Sequence, residues 1–184
     1  MENLNHNRFL SSLFELKNLR ALTECAILIA LHVLINLFSV YVGPLKITFA
    51  YVVLAVIAMK FGPVTAFFAG GASEVIGYLT HPAGAFHPGF TLSTMLTGFI
   101  MGVFLYQREI RVWRILSARL CVNVFLNILL NTYWLSNLYG KGYLLLLPER
   151  IVKNLVLIPI EVILIFTVLK TVSLVERRLV HVRR

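Results

Sequence analysis

Long apolar stretches, separated by short polar, glycine- and proline-containing segments, form most of the 184-residue chain after about residue 20. A membrane-spanning helix needs about 20 predominantly apolar residues, or fewer where neighbouring protein covers it. Six stretches meet this requirement, from about Arg20 to Tyr41, Ile47 to Lys60, Pro63 to Leu79, Phe90 to Tyr106, Val112 to Leu135 and Pro148 to Thr171. The pattern therefore predicts an all-α integral membrane protein with a bundle of six transmembrane helices.

The flanking segments complete a single predicted membrane domain, residues 1–184. Residues 1–19 bring charged side chains before the first apolar stretch and lack the small-residue cleavage site of a signal peptide. They are expected to remain as a cytoplasmic or interfacial segment. Residues 20–172 are expected to form the six-helix bundle, and residues 173–184 a basic cytoplasmic tail.

The composition favours the lipid bilayer as the environment of the chain. Hydrophobic residues make up 59% of the sequence and charged residues only 14%, whereas a soluble domain is typically about 25% charged. The formal net charge of +9 does not indicate nucleic-acid binding, because most basic residues separate apolar stretches instead of gathering on a water-facing surface.

The distribution of basic residues predicts the orientation in the membrane. Six crossings place both termini on one side, and thirteen of the 17 Lys and Arg residues then lie on that side. Because cytoplasmic loops are enriched in Lys and Arg, both termini are expected to be cytoplasmic. The four outer cations are Lys46, Lys141, Arg150 and Lys153. They indicate a surface that binds an anion, with snorkelling to lipid headgroups as the alternative for Lys141.

Four polar residues recur at spacings of four in the fifth apolar stretch: Arg119, Asn123, Asn127 and Asn131. This spacing places them along one face of a helix. Because polar side chains in hydrocarbon are costly without partners, that face is expected either to bond to other helices or to line a wet cavity. Glu161 of the sixth stretch lies at a similar depth to Arg119 and is a candidate partner for an ion pair.

Two further stretches carry polar side chains of interest. Arg150 and Asn154 lie one helical turn apart near the start of the sixth stretch. The helix dipole disfavours a cation there, so Arg150 is predicted to bind a carboxylate, with an interfacial anchor as the alternative. Glu74 in the third stretch is predicted to be either a hydrogen-bonded structural acid or a proton-relay group.

Sequence motifs for catalysis are absent. The chain contains no aspartate, no P-loop, no GxSxG and no HExxH sequence, so it is predicted not to be an enzyme. The outer loop between the third and fourth stretches contains His81, Phe86, His87 and Phe90, which suit a pocket wall or a lid. Its histidines have no cysteine or acid nearby in the sequence, so no metal site is predicted.

Several of these features form a recognisable set. It comprises the small residues Ala26 and Ala30 in the first stretch, GGASEVIGYLTHPAGAFHPGFTLSTMLTGFIMG at 70–102, NTYWLSNLYGKGY at 131–143 and PERIVKN at 148–154. Together they resemble the folate-specific S component of energy-coupling factor (ECF) vitamin transporters, over about residues 20–172. The resemblance implies a high-affinity membrane subunit that captures folate outside the cell and delivers it inward, with ATP hydrolysis in separate subunits.

The resemblance also implies partners and a binding site. The partners are a transmembrane coupling protein and two cytoplasmic ATPases of the ECF module, in a bacterial cell membrane, and Ala26 and Ala30 are implied to contact the coupling protein. The implied ligand is folate or a reduced folate, with no cofactor and no metal. The implied substrate-binding residues are Lys46, Phe86, His87, Phe90, Asn131, Trp134, Tyr139, Arg150 and Asn154.

The chemistry of folate agrees with these residue types. A flat pterin ring favours aromatic and amide side chains, and a glutamate tail with two carboxylates favours cations. Two alternatives stay open at this point. One is an S component for another vitamin or pterin, and the other is a stand-alone small-solute carrier in which Glu74, Arg119 and Glu161 act as relay or selectivity groups.

Overall fold

The structure is a computed structural model that describes residues 18–42, 45–82, 86–140 and 142–182. Its elements are α1 (Leu19–Leu37), β1 (Val40–Val42), β2 (Leu45–Ile47), α2 (Ala50–Thr80), α3 (Pro88–Leu105), α4 (Val112–Cys121), a π-helical segment (Val122–Leu130), α5 (Asn131–Tyr139) and α6 (Tyr143–Val182). The two strands form a small antiparallel hairpin with Val40 opposite Ile47. The rest of the fold is a bundle of helices.

Five helices in the described ranges are long and apolar enough to cross a membrane. They are α1, α2, α3, the continuous segment Val112–Tyr139, and α6. The prediction of a helical membrane protein is confirmed, but the predicted number of six separate helices is wrong. The second and third predicted stretches form the two helical halves of the single element α2, which meet directly at a kink with no loop between them.

α2 bends sharply at that boundary. Gly62 has φ 85° and ψ 177°, a conformation that its lack of a Cβ allows, and Pro63 follows it. Tyr51 near the start of α2 and Tyr78 near its end line the same cavity. Since a straight helix would separate these residues by about 40 Å, the second half of α2 returns toward the start of the first.

Small residues allow α3 to pack closely against the second half of α2. A Cβ on Gly98 would overlap the backbone of Ala66, and a Cβ on Gly102 would overlap the backbone of Pro63. Close approach of helix backbones through glycine and alanine is typical of helix packing in membranes. The hydrophobic core lies around this contact and includes Ala55, Ile57, Ala58, Ala66, Met101, Ile115, Ile165 and Leu169.

The bend of α2 marks one end of the bundle. Lys60, two residues before Gly62, lies with its Nζ 2.9 Å from Oε2 of Glu24 in α1 and 2.7 Å from Oε1 of Glu176 in α6. The start of the first helix and the end of the last helix therefore lie beside the bend. The cavity lies at the opposite end, where both ends of α2 meet.

Neither predicted terminal segment is tested by the structure. Helix α6 extends to Val182, so residues 173–182 are helical, and their place as a basic cytoplasmic tail stays a prediction. The helix persists because no proline or glycine interrupts the sequence after Pro159. Residues 1–17 lie outside the described residues, so the interfacial N-terminal segment stays a prediction.

The outer surface of the bundle is apolar, as a surface in contact with lipid tails must be. Leu79, Phe125, Leu145 and Leu155 are all more than half exposed. Ala26 and Ala30 of α1 are exposed as well, so the small-residue stripe faces outward and does not serve packing inside the bundle.

Candidate functional site

A cavity of about 360 Å³ occupies the end of the bundle opposite the bend of α2. Residues of all six α-helices and of the π-helical segment line it. A cavity of this size is in the range of small-molecule sites, which combine apolar and aromatic walls with a few polar groups. The fold therefore gathers polar residues that lie far apart in the sequence.

Seven of the nine predicted substrate-binding residues line this cavity: Phe86, His87, Phe90, Asn131, Tyr139, Arg150 and Asn154. Trp134 does not line it and lies behind the wall. Lys46 belongs to β2, and its side chain is outside the described part of the structure, so its role stays a prediction. Lys141, the outer cation of the 131–143 segment, also lies outside the described residues.

Aromatic rings surround one side of the cavity. The ring centroids of Tyr78 and Phe86 are 5.0 Å apart, and those of His87 and Phe90 are 5.8 Å apart. The imidazole of His87 also caps α3, because its Nδ1 accepts a hydrogen bond from the backbone N–H of Gly89 at 3.1 Å. The cap fixes the loop that carries Phe86 and His87 to the start of α3.

Trp134 supports this aromatic side from behind. Its ring centroid is 5.2 Å from that of His87, and a Cβ on Gly89 would overlap the indole ring. The predicted direct role of Trp134 therefore differs from its position in the structure. The tryptophan fills the space beside Gly89 and holds His87 in the wall, because only a residue without a side chain leaves room for the indole at that point.

Arg119 and Glu161 line another part of the cavity, and with the buried Asn123 they form what we define as the polar network. Nε of Arg119 donates to Oε2 of Glu161 at 3.0 Å, and Nδ2 of Asn123 donates to the same oxygen at 3.1 Å. Nη2 of Arg119 lies 2.5 Å from that oxygen. The ion pair expected between Arg119 and Glu161 is confirmed. The guanidinium also lies 4.7 Å from the ring centroid of Tyr51.

Asn127 and Asn131, which lie on the same helical face as Asn123, extend this network along the cavity. Nδ2 of Asn127 donates to Oδ1 of Asn123 at 2.6 Å, and Nδ2 of Asn131 donates to Oδ1 of Asn127 at 3.2 Å. These hydrogen bonds link the three amides into one chain that begins at Glu161. Both sequence hypotheses for the stripe hold, because it bonds to α6 and also lines the cavity.

A second group of cavity residues retains unused hydrogen-bonding atoms; we define Thr91, Asn131 and Arg150 as the unpaired wall. Oγ1 of Thr91, Oδ1 of Asn131 and Nε of Arg150 are buried and have no hydrogen-bond partner among the described residues. Nη1 of Arg150 makes one long bond of 3.4 Å to the carbonyl oxygen of Asn127. Buried polar atoms normally find partners, so this wall is suited to a polar ligand.

The cations of the cavity lie mainly on α6. Arg150 and Lys153 both line it, and Nδ2 of Asn154 donates to the backbone oxygen of Arg150 at 2.8 Å, beside them. Arg119, the third cation, is already paired with Glu161. The arrangement can bind a ligand with carboxylate groups at α6. Within the described ranges, no three His, Cys, Asp or Glu residues lie together as a metal site.

The sequence predictions missed several residues of the cavity wall. Thr91, Thr94 and Thr97 of α3 line it, as do His32 and Asn36 of α1. Both sets have a signal in the sequence, because polar residues at spacings of three or four in an apolar helix share one face. Tyr51 also lines the cavity, and it has no comparable signal because it lies alone in an apolar run.

Comparison with known proteins gives the family. The family model for the ECF transporter, substrate-specific component, matches residues 20–169. The folate transporter FolT of Clostridium novyi (strain NT) is 35% identical over 162 residues, which cover 88% of this chain and 94% of that protein. FolT of Leuconostoc mesenteroides is 31% identical over 143 residues, which cover 74% of this chain and 77% of that protein.

A solved structure agrees with these matches. The crystal structure of FolT bound with folic acid aligns with a TM-score of 0.79 at 32% identity, and the alignment covers 84% of this chain and 95% of that chain. The similarity thus extends over almost the whole bundle. The chain belongs to the family of substrate-specific components of ECF transporters, which are multi-pass membrane proteins.

Proposed function

We propose that this S component binds folate in the cavity from outside the cell and delivers it inward as part of an ECF transporter. The observation that carries the proposal is the composition of the cavity wall, which combines several aromatic rings with two cations on α6. Relatives named folate transporter, and a similar structure that holds folic acid, support folate as the ligand. The ligand is folate or a reduced folate, and no cofactor takes part.

The two ends of folate suit two sides of the cavity. The two carboxylates of the glutamate tail pair with Arg150 and Lys153, whose guanidinium and ammonium groups supply several donors. The amide of Asn131 and the rings of Phe86 and Phe90 contact the flat, polar-edged pterin. These contacts use the buried Nε of Arg150 and Oδ1 of Asn131, which have no partner within the described residues.

We also propose that both termini are cytoplasmic and that the cavity opens to the outside. The cluster of Lys60, Glu24 and Glu176 supports this orientation, since it brings the start of α1 and the end of α6 to the same end of the bundle. Basic residues near that end, Arg177 and Arg178 among them, agree with the enrichment of Lys and Arg in cytoplasmic segments.

Transport requires a source of energy outside this chain, because the sequence has no P-loop. We propose a transmembrane coupling protein and two cytoplasmic ATPases as partners. The exposed small residues Ala26 and Ala30 support a docking surface on α1, because small residues let a second membrane helix approach closely.

A titration of the purified protein in detergent tests the ligand. The experiment adds each vitamin separately and records the heat of binding by calorimetry. The vitamins are folate, a reduced folate, riboflavin, thiamine and biotin. We expect saturable one-to-one binding of the folates and no measurable binding of the other vitamins. A preference for another vitamin would contradict the proposal, and so would uptake of folate by liposomes that contain this chain alone, which would favour a stand-alone carrier.

A further inference from the structure

Glu74 is an acid in the cavity wall whose carboxylate makes few contacts with the residues that the structure describes. It lies in the second half of α2 and lines the cavity. Its Oε2 is 3.3 Å from Oγ1 of Thr94, but the same hydroxyl lies 3.1 Å from the backbone oxygen of Phe90. A hydroxyl has one hydrogen to donate, so Thr94 serves the carbonyl and the carboxylate in alternation.

The other cavity acid differs in this respect. Glu161 accepts hydrogen bonds from Arg119 and Asn123 and is buried within the polar network. Glu74 forms no salt bridge with any residue in the described ranges, although Arg119, Arg150 and Lys153 line the same cavity. An ionisable side chain within a membrane bundle is costly to keep, and it commonly marks a substrate pathway.

The surroundings of Glu74 define what kind of ligand group would meet it. Tyr78 lies one turn further along α2 on the same face, and its ring packs against Phe86 at 5.0 Å between centroids. Glu74, Tyr78 and Phe86 line the same cavity, and a flat ligand ring stacked on the two aromatic side chains would meet the carboxylate with its edge. Because a carboxylate only accepts hydrogen bonds when it is ionised, the matching edge must carry N–H donors.

We propose that Glu74 is the residue that recognises the donor edge of the pterin ring, where the 2-amino group and the N3–H lie side by side. Two adjacent N–H donors match the two oxygens of a carboxylate, as in other bidentate pairs. Glu74 also repels the carboxylates of the glutamate tail, so the tail is directed to Arg150 and Lys153. The assignment rests on the proposed function, and it adds the residue that selects the pterin and sets the direction in which folate lies.

The test compares two ligands and two proteins. Folate and 2-desamino-2-methylfolate, in which a methyl group replaces the 2-amino group, are titrated into the wild type and into Glu74→Gln. We expect the wild type to bind the analogue about 10- to 100-fold more weakly than folate, the range for a hydrogen bond to a charged group. Glu74→Gln should bind folate more weakly than the wild type by a similar factor, and its affinities for the two ligands should lie within about threefold of each other.

The controls separate the possible failures. Glu109→Gln removes an exposed carboxylate outside the cavity, which is paired with Arg111, and should leave both affinities unchanged. The comparison of two ligands on the wild type needs no variant to fold. Equal binding of both ligands by the wild type, or a full preference for folate in Glu74→Gln, would overturn the role of Glu74 alone. A wild type that binds neither ligand would overturn the proposed function and this assignment with it.

Discussion

The polar network and the unpaired wall line one cavity but use their hydrogen-bonding atoms differently. In the network of Arg119, Asn123 and Glu161, one carboxylate oxygen accepts from both neighbours. In the unpaired wall of Thr91, Asn131 and Arg150, each residue keeps a buried atom without a partner in the described part of the chain. A satisfied network contributes rigidity, whereas unsatisfied groups in a cavity are available to a ligand.

Because of this difference, we expect the polar network to contribute to stability and the unpaired wall to contribute to binding. Substitutions in the polar network should lower the stability of the bundle, because they leave a buried charge without its partner. Substitutions in the unpaired wall should lower the affinity for folate and leave the empty protein almost as stable as before. Four variants, described from the largest expected effect to the smallest, test this separation.

The largest effect is expected from Glu161→Ala. This change leaves the buried guanidinium of Arg119 without its carboxylate, and breaking a buried ion pair in this way costs about 3–5 kcal/mol. A thermal unfolding curve in detergent, without ligand, should show a large drop in melting temperature. The double variant Arg119→Met with Glu161→Met removes both charges and should recover most of the loss. An unchanged melting temperature in Glu161→Ala would contradict a stabilising role for the network.

Arg150→Ala is expected to act on binding instead. Removal of the cation should weaken folate binding by about 2–5 kcal/mol, because a carboxylate of the tail loses its charged partner. Calorimetric titration measures this change, and the melting temperature of the ligand-free protein should stay close to that of the wild type. Glu149→Gln, at the exposed neighbouring position, is the matched control and should bind folate normally. If the ligand-free melting temperature of Arg150→Ala falls as far as that of Glu161→Ala, the proposed separation of binding residues from stabilising residues would be wrong.

Gly89→Ala should produce a smaller loss of affinity. The added methyl group overlaps the indole of Trp134. Overpacking of this kind typically lowers the free energy of unfolding by about 1–3 kcal/mol. We expect weaker folate binding and a shifted tryptophan emission spectrum, since the ring must move away from His87. Gly142→Ala, where the nearest atom is a Leu145 methyl carbon at 3.5 Å, should change neither. Normal affinity in Gly89→Ala would show that the support from Trp134 does not matter for the site.

The smallest effect on binding is expected from the double variant Ala26→Trp with Ala30→Trp. Both residues are exposed on α1 and outside the cavity, so affinity should remain at the wild-type value. Folate uptake by cells that contain the whole transporter should be lost, because bulky side chains block a close helix contact. Leu155→Trp on the exposed face of α6 is the control. Normal uptake in the double variant would remove these alanines from the docking surface.

The sequence predicted the membrane class, most helices and much of the cavity wall, because apolar runs and polar spacing depend on local chemistry alone. The similar depth of Arg119 and Glu161 made them candidate partners, and the structure shows that they form an ion pair. The predicted number of helices was wrong at Gly62-Pro63, where a sequence typical of a loop forms a kink that joins two helical halves directly within α2.

Other features depend on tertiary packing and could not be predicted. The π-helical segment has i→i+5 hydrogen bonds, such as the one from the N–H of Asn131 to the backbone oxygen of Leu126, and the apolar pattern of this stretch predicts only a helix. Trp134 was expected to contact the ligand, but the space left by Gly89 places it behind His87. That space becomes visible only when α3 and α5 lie next to each other.

The central claim is that the cations of α6 bind the glutamate tail of folate in the cavity. One measurement tests it most directly, the ratio of the dissociation constants for pteroic acid, which lacks the glutamate, and folate, in the wild type and in Arg150→Ala. We expect the wild type to bind folate at least about tenfold more tightly than pteroic acid, and Arg150→Ala to lose most of that preference. The same ratio in both proteins would contradict the claim.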